Sequence, residues 1–78
     1  MDRFDAMQAF VRVVEAGSFT KAAQTLHMSR TTVTQLVQQL EARLQLKLLN
    51  RTTRQVNVTA DGAAYYERIV RVLADDLK

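Results

Sequence analysis

Apolar residues recur along this chain at two different periods, and the change between them divides it into parts. Phe4, Met7, Phe10, Val11 and Val14 fall at three- and four-residue steps. They predict a first amphipathic helix over Phe4 to Ala16, which Gly17 then stops. Phe19, Ala22, Ala23 and Leu26 predict a short second helix, and Val33, Leu36, Val37, Leu40 and Leu44 a third that runs to about Leu44. Beyond it the period alternates. Leu46, Leu48, Val56 and Val58 are apolar and strand-prone, while Asn50 to Gln55 is polar and turn-like. These residues predict two short strands around a basic tip, with no tight Asn-Gly turn between them. Thr59 reads as the N-cap of a last helix from Ala60 onward. In that helix Tyr66, Ile69, Val70, Leu73 and Leu77 form a seam of barely two heptads.

The second and third helices are joined tightly. Ser18 and Ser29 each precede an apolar-periodic run, where a hydroxyl can accept from the orphan amides of a helix start. Leu26-His27-Met28 leaves room for about three connecting residues, which suits a helix-turn-helix over roughly 18–38. His27 falls where the chain reverses, and histidine is among the non-glycine residues enriched in left-handed backbone. Ala22 and Ala23 are small enough for the two helices to cross closely. Opposite its apolar side, the third helix carries Thr31, Thr34, Gln35 and Gln38, all able to hydrogen-bond base edges or phosphates. This arrangement points to DNA.

Composition narrows the field. Seventy-eight residues make one domain of modest core. The chain has no cysteine, so a disulfide framework or a thiolate metal site is ruled out. The lone His27 cannot build a metal site, and no nucleophile–His–carboxylate set is evident, so no catalytic residues, metal or enzyme activity are expected. No apolar run is long enough to span a bilayer and no leader opens the chain, which implies a cytoplasmic protein with no membrane partner. The net charge of +3 understates the basic surface. Between Lys21 and Arg54, six basic residues (Lys21, Arg30, Arg43, Lys47, Arg51, Arg54) face the single acid Glu41, for a local net charge of +5. Five basic residues and seven acids remain outside that stretch, for −2. A basic belt centred on the proposed reading helix is the electrostatic footprint of a polyanion binder. The terminal seam, taken as apolar surface left over once Leu46, Val56 and the first three helices have filled the core, predicts a homodimer through the last helix.

The ordered segments FVRVVEAGSFTKAAQTLHMS, QQLEARL and LKLLNRTTRQVNVTADG resemble the N-terminal DNA-binding domain of LysR-type transcriptional regulators. That family shows a GSFT-x-AA-x-x-L segment, a Leu-Glu pair late in the reading helix, and an Arg-Thr-x-Arg wing followed by Val-x-Leu-Thr-x-x-Gly. The resemblance implies a mainly α fold: a winged helix-turn-helix over 1–59, with a three-helix core and a two-stranded β-wing at about 46–58. The start of a linker and dimerisation helix would follow at 60–78. It also implies a bacterial regulator that reads an interrupted inverted repeat near a promoter as a homodimer, with a tetramer possible in a full-length protein. A small-molecule effector would bind a C-terminal domain absent from this chain, so no cofactor is expected here.

Carried over by position, the family's base-reading residues are Ser29, Arg30, Thr31, Thr32, Thr34 and Gln35. Arg30, Thr31 and Gln35 stand where the family often has glutamine, proline and arginine. Arg30 suits guanine O6 and N7, or else clamps a phosphate, and Gln35 suits adenine N6 and N7. Arg54 resembles the residue this family inserts into the minor groove, where a guanidinium favours narrow A·T-rich stretches. Ser18, Thr20, Lys21, Lys47, Arg51, Thr52 and Thr53 are the implied phosphate partners, with bracing of the wing an alternative role for Arg51. Tyr66, Ile69, Val70, Leu73 and Leu77 are the implied dimer contacts. Gln45 occupies a position usually held by glycine, which leaves the ending of the third helix open. Two other readings stay open: a helical protein-interaction module using Tyr65, Tyr66 and the terminal stripe, and a nucleoid-type binder that coats DNA without sequence choice.

Overall fold

The computed structural model describes the backbone of residues 3–51 and 56–76, with side chains for 4–50 and 56–74. Helices α1 (Arg3–Ala16), α2 (Phe19–Leu26) and α3 (Arg30–Leu44) precede strands β1 (Leu49–Arg51) and β2 (Val56–Val58), and α4 (Ala60–Asp76) follows. The fold is a winged helix-turn-helix. The strands pair antiparallel, with Leu49 opposite Val58 and Arg51 opposite Val56. No helix among the described residues is long and apolar enough to cross a membrane.

Local chemistry sets the helix ends. The Ser18 Oγ accepts from the Lys21 amide at 3.2 Å, and the Ser29 Oγ from the Thr32 amide at 3.1 Å. Each hydroxyl satisfies one of the free donors of a first turn. Gly17 closes α1 with φ +68°, its amide donating to the Val13 carbonyl. Helices α2 and α3 end alike, each on a non-glycine residue in left-handed backbone: His27 (φ 58°, ψ 42°) and Gln45 (φ 55°, ψ 40°). The next amide then reaches back five residues in each case, Met28 to the Ala23 carbonyl and Leu46 to the Glu41 carbonyl. Gln45 therefore keeps the glycine-type ending, at a backbone cost of roughly 1 kcal/mol.

The core forms where α1, α2 and α3 meet. Phe10, Val13, Val33, Leu36, Leu40 and Leu48 are its largest fully buried side chains, each worth about 1.5–3 kcal/mol of burial. Ala22 and Ala23 are buried at the α2 contact, consistent with a close crossing. Three expectations need correction. On α1 the most buried positions are Ala6, Ala9, Phe10 and Val13, while Phe4 is exposed and Met7 and Val14 only partly covered. The stripe read from large side chains missed the alanines, which allow closer packing. In the wing Leu46 is 40% exposed, whereas Leu48 and Leu49 are buried at 0% and 3%. The turn at Gln45 ties the Leu46 amide to α3, so the chain becomes strand-like only from Leu49.

The third correction concerns α4. Ile69, taken as a dimer contact, is only 3% exposed and belongs to the domain's own core, against which Tyr66, Val70 and Leu73 also pack. Phe10 explains this. Its ring meets Tyr65 at 5.8 Å and Tyr66 edge-on at 6.5 Å between centroids, which draws α4 back onto α1. The Tyr66 hydroxyl donates to Glu15 Oε2 at 3.1 Å, and Glu15 Oε1 pairs with Arg12 at 3.0 Å. Desolvation first, then the hydrogen bond and the negative charge of Glu15, hold the Tyr66 phenol above its usual pKa. Leu77 lies outside the described residues.

A compact knot joins α3, the wing and α4. Glu41 Oε2 accepts from the Leu48 amide at 2.8 Å and the Leu49 amide at 3.2 Å. The Leu48 carbonyl in turn accepts from the Thr59 amide at 3.0 Å, and the Thr59 hydroxyl donates to the neighbouring Lys47 carbonyl at 2.5 Å. The Thr59 Oγ1 also caps α4, accepting from the Gly62 amide at 2.9 Å. A Cβ on Gly62 would stand 2.1 Å from the Leu48 carbonyl oxygen and 2.9 Å from Val58 Cγ1, so only glycine fits beneath that strand.

Two outcomes follow for stability. Gly62→Ala should lower it by about 2–3 kcal/mol, because the clash is with backbone. Urea denaturation checks this, and an unchanged midpoint would contradict the close approach. Glu41→Ala should strip two partly buried amides of their acceptor, at a cost of about 2 kcal/mol. Amide hydrogen exchange should then quicken at Leu48 and Leu49 more than along α1; unchanged protection there would remove Glu41 from the knot.

Candidate nucleic-acid interface

Helix α3 presents two faces because its sequence alternates chemistry at helical spacing. Val33, Leu36, Val37 and Leu40 are buried and fix its rotation against α1 and α2. With that rotation set, Arg30, Thr31, Thr34, Gln35 and Gln38 line one shallow, open depression on the outer side. None of these five side chains is hydrogen-bonded or ion-paired to another described residue. Their donors and acceptors are free for a partner, and only Arg30 among them carries a charge.

The six residues taken as base contacts therefore divide. Arg30, Thr31, Thr34 and Gln35 come together in the depression. Ser29 and Thr32 do not line it: their hydroxyls meet at 2.8 Å, and Ser29 also caps the helix through the Thr32 amide. Thr32 is half-buried as well. The sequence assigns Ser29 both roles, helix cap and base contact, and the structure shows the cap; the Ser29–Thr32 hydroxyl contact is what the sequence reading lacks. Gln38 was seen on the polar face but not carried over from the family; its place, seven residues after Thr31 and three after Gln35, puts it on the same side of the helix.

The expected phosphate partners are more scattered. Thr20 and Lys21 are exposed at the start of α2, and Ser18 is half-buried with its oxygen engaged as the cap. Its hydroxyl hydrogen has no acceptor among the described residues, and a helix start carries the positive end of the helix dipole. Lys47 is exposed on the segment between α3 and β1. The side chain of Arg51, and all of Thr52, Thr53 and Arg54, lie outside the described residues. Sequence reasoning places Glu41 in the family's Leu-Glu pair and as the one acid in a basic belt, but misses it as a structural acceptor. The signal was present in its position, one turn before the end of α3.

A profile of bacterial regulatory helix-turn-helix proteins of the lysR family matches residues 4–63. Among curated relatives, an HTH-type transcriptional repressor of Pseudomonas aeruginosa is 50% identical over 68 residues, covering 87% of this chain and 22% of that protein. The HTH-type transcriptional activator AaeR of Escherichia coli is 48% identical over 73 residues, covering 94% of this chain and 24% of that protein. The chain thus spans about a quarter of the length of these regulators. Among solved structures, the CbnR DNA-binding domain in complex with DNA superposes with a TM-score of 0.89 at 39% identity, covering 95% of this chain and 84% of that one. The BenM DNA-binding domain bound to its catB site 1 DNA gives 0.90 at 35% identity, with 96% and 83% covered. These likenesses run through α1, the helix-turn-helix, the wing and the start of α4, and the chain belongs to the LysR family of bacterial regulatory helix-turn-helix proteins.

Proposed function

We propose that this chain is the sequence-reading DNA-binding part of a LysR-type transcriptional regulator, with α3 in the major groove and the wing reaching the minor groove. The observation that carries the reading is the outer stripe of α3. A fully packed inner face holds the helix in one rotation, while five side chains with unspent hydrogen bonds stand on the other side. The structural neighbours in complex with DNA support it. In this reading Arg30 reads a guanine, Gln35 an adenine, and Thr31 and Thr34 contact neighbouring base edges. Lys21, Thr20 and Ser18 at the α2 start, and Lys47, hold phosphates; Arg51, Thr52 and Thr53 join them, and Arg54 enters the minor groove.

The same proposal includes a homodimer through α4 on an interrupted inverted repeat near a promoter. Ile69 is not available to it, so the contact falls on parts of α4 that the core leaves open, including Val72, which is 46% exposed. Two-fold pairing would place two copies of α3 in the major grooves of two half-sites. Residues 60–78 would begin the linker helix, and a small-molecule effector would act through a separate domain.

Selection of bound duplexes from a random pool at near-physiological salt tests the proposal. Enrichment of an inverted repeat is the expected result. Retention of DNA without enrichment would instead favour a nucleoid-type binder, and no retention would contradict DNA binding by this chain. Arg30→Ala should relax the preference at one base pair, at a cost of about 1–3 kcal/mol. Equal weakening on all sequences would reassign Arg30 to a phosphate.

A further inference from the structure

The reading stripe of α3 extends one turn beyond the residues that the family's pattern assigns to it. Gln38 is exposed and lines the same depression as Arg30, Thr31, Thr34 and Gln35, and its carboxamide has no partner among the described residues. It lies three residues beyond Gln35, about 4.5 Å further along the helix axis, slightly more than one base-pair step of about 3.4 Å. From Arg30 to Gln38 the stripe measures about 12 Å, enough to face three or four successive base pairs.

The chemistry of the stripe favours bases over phosphate at this point. A phosphate offers only acceptors and is best met by a cation. A base edge in the major groove offers donors and acceptors side by side, and a carboxamide matches adenine through both of its atoms. The middle and far end of the stripe, Thr31, Thr34, Gln35 and Gln38, contain no charge at all, and Arg30 stands at the near end. Two carboxamides one turn apart, on one open face, form a pair of equivalent readers. Gln39, the next residue, does not line the depression.

We propose that Gln38 is a further specificity-determining residue, reading an A·T pair next to the one read by Gln35. The inference rests on the DNA-reading function proposed above. The test is a comparison of sequence selection and duplex binding by the unaltered chain, Gln38→Ala and Gln39→Ala. Gln38 is exposed and alanine favours helix, so the fold should hold, as circular dichroism can verify. Gln38→Ala should flatten the preference at a single A·T position beside that of Gln35 and weaken the preferred duplex roughly 5- to 100-fold, leaving other positions intact. Gln39→Ala should change no position. An unchanged preference in Gln38→Ala would overturn the assignment. So would uniform weakening on all sequences, which marks a backbone clamp. Absence of any sequence preference in the unaltered chain would overturn the proposed function and this inference with it, and that arm is read before either variant.

Discussion

The Leu48 peptide is gripped from both sides. Its amide is held by the Glu41 carboxylate on α3, and its carbonyl by the Thr59 amide, directly above the spot where Gly62 has no side chain. Both contacts are satisfied only if α3, the entry to the wing and the first turn of α4 take one relative arrangement. Buried polar groups left unmet cost a kcal/mol or more each, so the arrangement has few competitors. The direction in which the outer stripe of α3 faces and the direction in which the wing leaves the body are therefore set together. A protein that reads one groove and reaches toward the next needs that coupling, since a misaimed wing would forfeit its contact.

Helix α3 divides its work by position. The aliphatic residues fix its rotation, Ser29 and Thr32 close its first turn, and Glu41 near its end anchors the wing. What remains free is the stripe from Arg30 to Gln38. Apart from Arg30 the stripe is neutral, so most of the attraction to a polyanion would come from flanking cations, with Lys21, Arg43 and Lys47 exposed among the described residues. In the proposed reading, electrostatic attraction and sequence reading thus fall largely on different side chains, with Arg30 sharing both, and salt should act mainly on the first.

The parts legible in the sequence were those governed by local rules. The caps at Ser18 and Ser29, the left-handed turn at His27 and the buried spacing of α3 each depend on residues within a turn or two, and each was read before the structure. The parts that escaped depend on contacts between elements. Alanine carries little weight in a hydrophobic pattern, yet Ala6 and Ala9 are where α1 packs most tightly. Leu48 is buried as alternation predicts, but the exposure of Leu46 and the burial of Leu49 follow from the turn at Gln45 and the pull of Glu41, which alternation alone cannot register. Ile69 was assigned outward because nothing local reveals that Phe10 and two tyrosines bring α4 back to the core. For the proposed interface, the polar face of the third helix points to the region and the resemblance to particular residues, and hydrogen-bond accounting separates residues spent on capping from those left to meet a partner.

The outer stripe of α3 is the surface proposed to meet DNA. The most direct test of that role is a nuclear magnetic resonance titration of the labelled chain with a duplex carrying the selected repeat, following the side-chain amides of Gln35, Gln38 and Gln39 together with the backbone. Large shifts are expected at Gln35 and Gln38, at backbone amides from Arg30 to Gln38 and at the start of α2, with Gln39 much less affected. Shifts confined to the exposed side of α4, with the stripe unmoved, would contradict it.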